Sequence, residues 1–242
     1  MKPIVRSVLA ALSVLLSACA PKSGISGFWK DADVAAVKSD FDGAKERFTE
    51  FAELSLNAPA EEAEKALDVL FDRLAADEVA YYVYEEWCEG AFYNIFSPYR
   101  NAGLFEHIAA RIEDDGIMAD DIERIRLLRH YNSLNLKGQP ISLPEDLTRP
   151  DGEPVEFPGG EEITVLVLNP SCRSCAAALK ALAGTPGRHI AICFGSREVP
   201  SVPGWEYCFS AGIRRFFDTE AAPFWLAADA DGTVTVPCSP VE

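Results

Sequence analysis

From Phe28 to about Asn132, apolar residues recur at the three-and-four spacing of amphipathic helices. Asp31–Leu56 reads as a first helix, with Val34, Val37, Phe41, Phe48 and Phe51 among its apolar positions. Pro59 suits the first turn of a second, where Glu61, Glu62 and Glu64 complement the positive helix end. Ala63, Leu67, Leu70, Phe71 and Leu74 then continue the helical period. A third helix, about Glu78–Asn94, carries Val79, Tyr82, Val83 and Trp87, and Ser97-Pro98 breaks the chain after it. Ala102–Glu113 and Asp120–Tyr131 are predicted as the fourth and fifth, the last with Ile122, Ile125, Leu127 and Leu128.

After Leu134 the pattern changes. Gly138, Pro140, Pro144, Pro150, Gly152, Pro154 and Pro158 punctuate short extended pieces. Leu147-Thr148 and Val155–Phe157 around Asp151-Gly152 predict a β-hairpin. Ile163–Leu168 is an unbroken apolar run of strand length, as expected of a strand covered on both faces. Ala176–Ala183 predicts a helix, His189–Phe194 a second buried strand and Ala211–Phe217 a short helix. Phe224–Ala228 and Thr233–Val236 predict two strands joined through Asp229–Gly232, a hairpin turn signal. Neither half carries an internal repeat or a low-complexity tract.

The N-terminus reads as a targeting segment. Lys2 and Arg6 precede the apolar run Val8–Leu16, which is short for a membrane span. Leu16-Ser17-Ala18-Cys19 resembles the lipobox of bacterial lipoproteins, with cleavage before Cys19 and lipid on its sulfur; the alternative is a plain secretory signal. The lipid chains would tether the mature protein to a membrane surface. Ala20, rather than an aspartate, follows that cysteine and favours the outer membrane.

Without the leader 224 residues remain, enough for one large domain or two small ones. The formal charge of −16 makes nucleic acid a poor partner, because the chain repels phosphate. Residues 28–132 hold 24 acidic and 11 basic residues, so most of the excess lies on the helical half. Seven cysteines in an exported chain carry more information, since disulfides persist outside the cytoplasm.

The chemistry converges on Ile163–Cys175, where an apolar strand runs into Cys172-Arg173-Ser174-Cys175 at a helix start. Helix-start amides stabilise a thiolate on Cys172, and Arg173 adds positive charge nearby. Cys175, one turn on, can close a disulfide with it and is expected to lie deeper. Pro170 and Ser171 shape the helix entry, with Ser171 a candidate cap. The same motif serves zinc knuckles, but zinc needs two more ligands, no second such pair exists, and His189 is the only nearby histidine. No metal and no bound cofactor is expected. A silent structural disulfide stays open as an alternative.

These residues carry a resemblance. Residues 134–242 resemble the thioredoxin-like, thiol–disulfide interchange (TlpA-like) superfamily. The whole mature chain resembles lipoproteins of anaerobic gut-type bacteria that set an uncharacterised helical domain before such a unit. The segments that carry it are Gly27-Phe28-Trp29, Phe92–Asn101 with its Ser-Pro-x-Arg-Asn run, Leu134–Gly138, Asn169–Cys175 and Phe217–Pro223. The implied chain is α+β and in two parts: signal peptide 1–18, tether 19–27, all-helical domain 28–133 and thioredoxin-fold α/β domain 134–242. The resemblance implies a cis peptide bond before Pro223, although a bare X-Pro bond favours trans. It also implies that Pro223 packs opposite the disulfide while the backbone of Ala222 pairs with a client polypeptide. Two departures stand out. Leu166 occupies the place, six residues before the first cysteine, where many thioredoxins keep a buried carboxylate that shuttles protons. Ser171 replaces the usual aromatic residue.

The expected activity is an envelope thiol–disulfide oxidoreductase, periplasm-facing, that exchanges disulfides with client proteins and with an upstream thiol–disulfide donor or acceptor. The rival is a non-catalytic binding or assembly lipoprotein on the same scaffold. Tyr81, Tyr82, Tyr84, Trp87, Phe92, Tyr93 and Phe96 form an aromatic cluster, read as core with a client-gripping groove as the sharper alternative. Arg100 and Asn101 either tie the halves together or cap a helix. Trp205 covers the sheet or flanks the active site. Cys193 and Cys208 either bridge or stay inert, Cys88 is core, and Cys238 is reactive or bridged. No serine triad or phosphate-binding glycine loop is present.

Overall fold

The computed structural model describes residues 24–117, 121–157, 160–196, 198–199 and 202–241. The N-terminal segment read as a targeting signal, Cys19 included, falls outside the described residues.

Three of the five α-helices described in the first half start where a short polar side chain satisfies free helix amides. Asp40 accepts from the Gly43 amide and opens α1 (Phe41–Ser55). That cap divides the predicted Asp31–Leu56 helix: Val34–Lys38 form a separate 3-10 turn capped by Asp33. Periodicity alone did not expose the break, because Val34 and Val37 stay in phase with the core on either side of it. Pro59 precedes α2 (Ala60–Leu74). Asp77 caps α3 (Glu78–Cys88), which runs on into a π-helical turn, Glu89–Tyr93. Asn101 caps α4 (Ala102–Asp115) through the Gly103 and Leu104 amides, so it is the capping alternative that applies to this residue. Gly116, at φ 63°, ends that helix in the left-handed conformation that costs glycine least. α5 spans Ile122–Ser133.

The helices close on an aromatic core. Trp29 is fully buried, with ring contacts to Phe28, Phe51 and Tyr84. Arg73 fixes the entering chain by donating to the carbonyls of Lys30 and Ala32, at 3.0 and 2.6 Å. Tyr81, Tyr84 and Phe92 are core, whereas Tyr82 and Phe96 are exposed.

The second half is one five-stranded sheet of order β3-β2-β1-β4-β5. Its strands are β1 (Ile163–Leu168), β2 (Arg188–Cys193), β3 (Trp205–Phe209), β4 (Phe224–Ala228) and β5 (Val234–Pro240). β2 runs parallel to β1 and β3, while β4 is antiparallel to β1 and β5. All six β1 residues are buried, as their unbroken apolar run requires. α6 (Arg173–Leu182) covers one face, with Cys175, Ala178, Leu179 and Leu182 set against Leu166, Leu168, Ala191 and Cys193. Val165, Val167, Ile190, Ile192 and Leu226 fill the opposite face.

No regular helix covers that second face among the described residues. A strap, residues 134–157, crosses it from edge to edge. It bridges β5's turn through Pro140 and Thr233, and β3 through Thr148 and Phe209. Leu147 is its buried anchor. The predicted Leu147–Phe157 hairpin is present but short: Thr148 bridges Pro154, the Arg149 amide donates to the Glu153 carbonyl and the Val155 amide to the Leu147 carbonyl, while Thr148 also pairs with the sheet. The predicted Ala211–Phe217 helix is only a 3-10 turn, Ile213–Arg215. β3 is not among the strands predicted from the sequence. Its alternation of Trp205, Tyr207 and Phe209 is the strand signal, and it was obscured by the Pro203-Gly204 pair ahead of it.

The two halves touch along one seam. Tyr93 donates to Asp218 at 3.0 Å, His130 Nε2 lies 2.8 Å from the Arg215 carbonyl, and Tyr131 donates to the Arg214 carbonyl. Arg100 donates to the carbonyl of Cys238 in β5, which makes it a tie between the halves. Three of these four contacts grip residues 214–218, the stretch that leads to Ala222-Pro223.

Candidate redox site

β1 delivers the chain to the site, and Asn169 turns it. Its side-chain oxygen accepts from the Ser171 amide and its carbonyl from the Cys172 amide, both at 3.0 Å. Gly195, at φ 84°, passes so close to Asn169 that an added Cβ would lie 3.3 Å from its amide nitrogen. Cys172, not Ser171, is the N-cap of α6, so the expectation of a Ser171 cap is corrected. Ser171 is exposed and donates its amide backwards.

An N-cap thiol faces unsatisfied helix amides. Cys172 is partly exposed, and its Sγ lies 2.8 Å from Ser174 Oγ. That hydroxyl, followed by the Cys175 amide and thiol, holds the Cys172 thiol down to about 7. Arg173, the expected source of positive charge, is exposed at the first position of α6. Cys175 is 1% exposed, and burial, then the adjacent Cys172 thiol, pushes it up to about 11. Near neutrality Cys172 is thus about half thiolate, whereas Cys175, one helical turn on, stays protonated. Leu166, fully buried in the layer that contains Cys175, places no carboxylate beneath that thiol.

The Ala222–Pro223 peptide bond is cis. The antiparallel register pairs Val167 with Phe224, which sets Pro223 level with Leu168, the last residue of β1. The cis bond and the Cys172 loop therefore emerge side by side. Ala222 is extended, at φ −70° and ψ 147°, a conformation suited to strand-like pairing. Beyond the ends of β2 and β3 lies a hollow of about 470 Å³ whose wall includes Gly195, Ser196, Ser210 and Arg214.

The remaining cysteines stand apart. Cys193 packs in the α6 layer, while Cys208 faces the opposite layer. The register sets Cys208 beside Ile192 rather than Cys193, so the bridge considered between them is ruled out by strand geometry. Burial pushes Cys193 up to about 12 and Cys238 up to about 11. Both are free thiols, as is the fully buried Cys88. Trp205 covers the sheet, with its Nε1 donating to the Leu179 carbonyl at 2.9 Å. His189 lies 2.8 Å from Thr185 Oγ1. Among the described residues no three metal-binding side chains gather.

Sequence reasoning missed two residues here. Ser174 was visible as a hydroxyl between the cysteines, two residues from the candidate nucleophile. Asn169 was visible as an Asx-turn residue two before Ser171.

A solved structure of a thioredoxin-like protein from Bacteroides caccae superposes with a TM-score of 0.72 over 90% of this chain and 87% of that one, at 13% identity. The fold is thioredoxin-like. The likeness extends over both halves, so the helical region shares in it as well as the sheet. No protein-family model and no curated protein matches the chain.

Proposed function

We propose that this chain is an exported, lipid-anchored thiol–disulfide oxidoreductase working through Cys172 and Cys175. The observation that carries the reading is the contrast between the two thiols: one accessible and lowered to about 7, the other buried and raised to about 11. In the reducing direction the Cys172 thiolate attacks a client disulfide. The client S–S bond breaks, a Cys172–client disulfide forms, and the departing client thiolate takes a proton. Cys175 then gives up its proton, attacks Cys172 and releases the second client thiol. Two electrons pass to the client, and an upstream dithiol restores the pair. The oxidising direction is the same sequence reversed. Ala222 and Pro223 orient the client strand, and Arg173 borders the entry. Cys19 carries the lipid that holds the protein on the periplasmic side of an envelope membrane, with the outer membrane favoured by Ala20.

One observation favours a second reading, a binding or assembly lipoprotein on a redox-silent scaffold: Leu166 leaves Cys175 without a buried acid. Reduction of an insulin-like disulfide polypeptide, together with trapping by Cys175→Ser, separates the two. Turnover and a mixed disulfide at Cys172 support the oxidoreductase. The absence of both supports the scaffold.

A further inference from the structure

The helical half carries a groove between α1 and the π-helical turn, of about 380 Å³, walled by Phe48, Trp87, Gly90, Asn94 and Phe96. A second hollow, about 270 Å³, shares Gly90, Asn94 and Phe96 with it and is closed on the far side by Asp218, Glu220 and Ala221. Those last residues lead directly to the cis bond at Ala222-Pro223. The two hollows therefore form one track from the segment just ahead of the cis bond onto the helical half.

The track has a chemical order. At the end next to the cis-bond segment it is acidic, with Glu89, Asp218 and Glu220 on its walls. Arg124 engages Glu89, and Tyr93 engages Asp218. The exposed Glu220 carboxylate makes no hydrogen bond or ion pair among the described residues. Further out the track is aromatic. Phe96 is 57% exposed beside Trp87, whose ring also carries the exposed Phe41 at 5.2 Å. Lys45, whose ammonium lies over the Trp87 ring, and Glu86, which accepts from Tyr82, both line that end. The π-helical turn that ends α3 contributes Gly90 to the wall shared by both hollows, and Asn94 and Phe96 follow directly after it.

We infer that this track selects clients: it binds an extended polypeptide carrying a Lys or Arg near its reactive cysteine and a large apolar side chain farther along. The inference rests on the redox reading for the client's cysteine but not for its binding. The basic residue meets Glu220, and the apolar side chain fills the Trp87–Phe96 groove. Complementary charge and a buried apolar anchor are the usual sources of selectivity in such contacts.

Gly90 makes the test clean. A Cβ built there meets no atom within 4 Å, and its φ is not positive, so a larger residue projects into open groove without backbone strain. Helix propensity also favours the replacement. Binding is measured by fluorescence anisotropy with cysteine-free peptides carrying an Arg and a Phe at a series of spacings, and with the same peptides bearing Asp for Arg. The wild-type protein prefers the Arg–Phe peptide by about tenfold at low salt; Gly90→Leu weakens it about tenfold, and Glu220→Lys removes the preference for Arg. Undetectable wild-type binding, equal affinity for Arg and Asp peptides, or wild-type affinity in Gly90→Leu overturns the assignment. Reaction of the wild-type protein with oxidised glutathione at Cys172 is scored separately and judges the redox reading alone.

Discussion

Ser174→Ala isolates the strongest influence on the nucleophile. Ser174 Oγ lies 2.8 Å from Cys172 Sγ and is the first cause of its depressed pKa. A hydrogen bond to a charged group contributes about 1.5–3 kcal/mol, and exposure of both side chains reduces it. About 1.4 kcal/mol corresponds to a tenfold change in the ionisation constant. At pH 6, where the thiolate is the minor form in both proteins, its fraction then falls about ninefold in the variant. Each remaining thiolate is a stronger nucleophile, by about threefold for that change in basicity. The two effects oppose one another, so the variant reacts about threefold more slowly than wild type at pH 6 and about threefold faster at pH 10, where Cys172 is ionised in both proteins. The assay is the stopped-flow rate with a small neutral disulfide from pH 5 to 10, assigned to Cys172 by peptide mapping. Profiles of variant and wild type that stay parallel, with no crossing, would refute the hydroxyl's role and the hydrogen-bond origin of the low pKa.

Other expectations follow from the same contacts. Glu85 is buried, Arg124 reaches one of its oxygens, and the other has no partner, so burial lifts its carboxyl to about 7. The unfolded chain releases that proton near 4.5, so stability falls as pH rises between the two values. Glu85→Gln flattens that slope, with a gain on the order of 3 kcal/mol at pH 8 relative to pH 4, read from denaturant midpoints; equal slopes contradict it. Arg100→Ala removes the tie to the Cys238 carbonyl and lowers Tm by about 4–8 °C with helix content unchanged; an unchanged Tm would contradict the load assigned to this seam. Peptide mapping of the oxidised protein finds Cys193 and Cys208 as thiols, because they face opposite layers of the sheet; a bond between them would contradict the register.

What could be read from the chain was what repeats locally. Leu67, Leu70, Phe71 and Leu74 specify a helical face, and Ile163–Leu168 specifies a strand with two covered sides. The cysteine pair was legible from the strand-to-helix pattern around it, and the cis bond before Pro223 only from the resemblance. Features set by distant partners were not. The short hairpin at Thr148 and Pro154 was legible from its local Asp-Gly turn, whereas the strap's pairing with Thr233 and Phe209 lies far along the chain. The break at Asp40 hid behind an unbroken apolar phase. At the site, burial separated the two thiols, and no spacing rule reports that Ser174 rather than Arg173 supplies the leading contact to Cys172.

The central claim is that Cys172 and Cys175 form one two-electron couple open to outside thiols. Equilibration of the protein across a series of glutathione redox buffers, with acid quench and mapping of residues 172–175, tests it most directly. The account predicts a single reversible transition in which that peptide loses two hydrogens and carries no glutathione at either end. A peptide that stays dithiol throughout, or that ends with glutathione on Cys172 and a free Cys175, would contradict it.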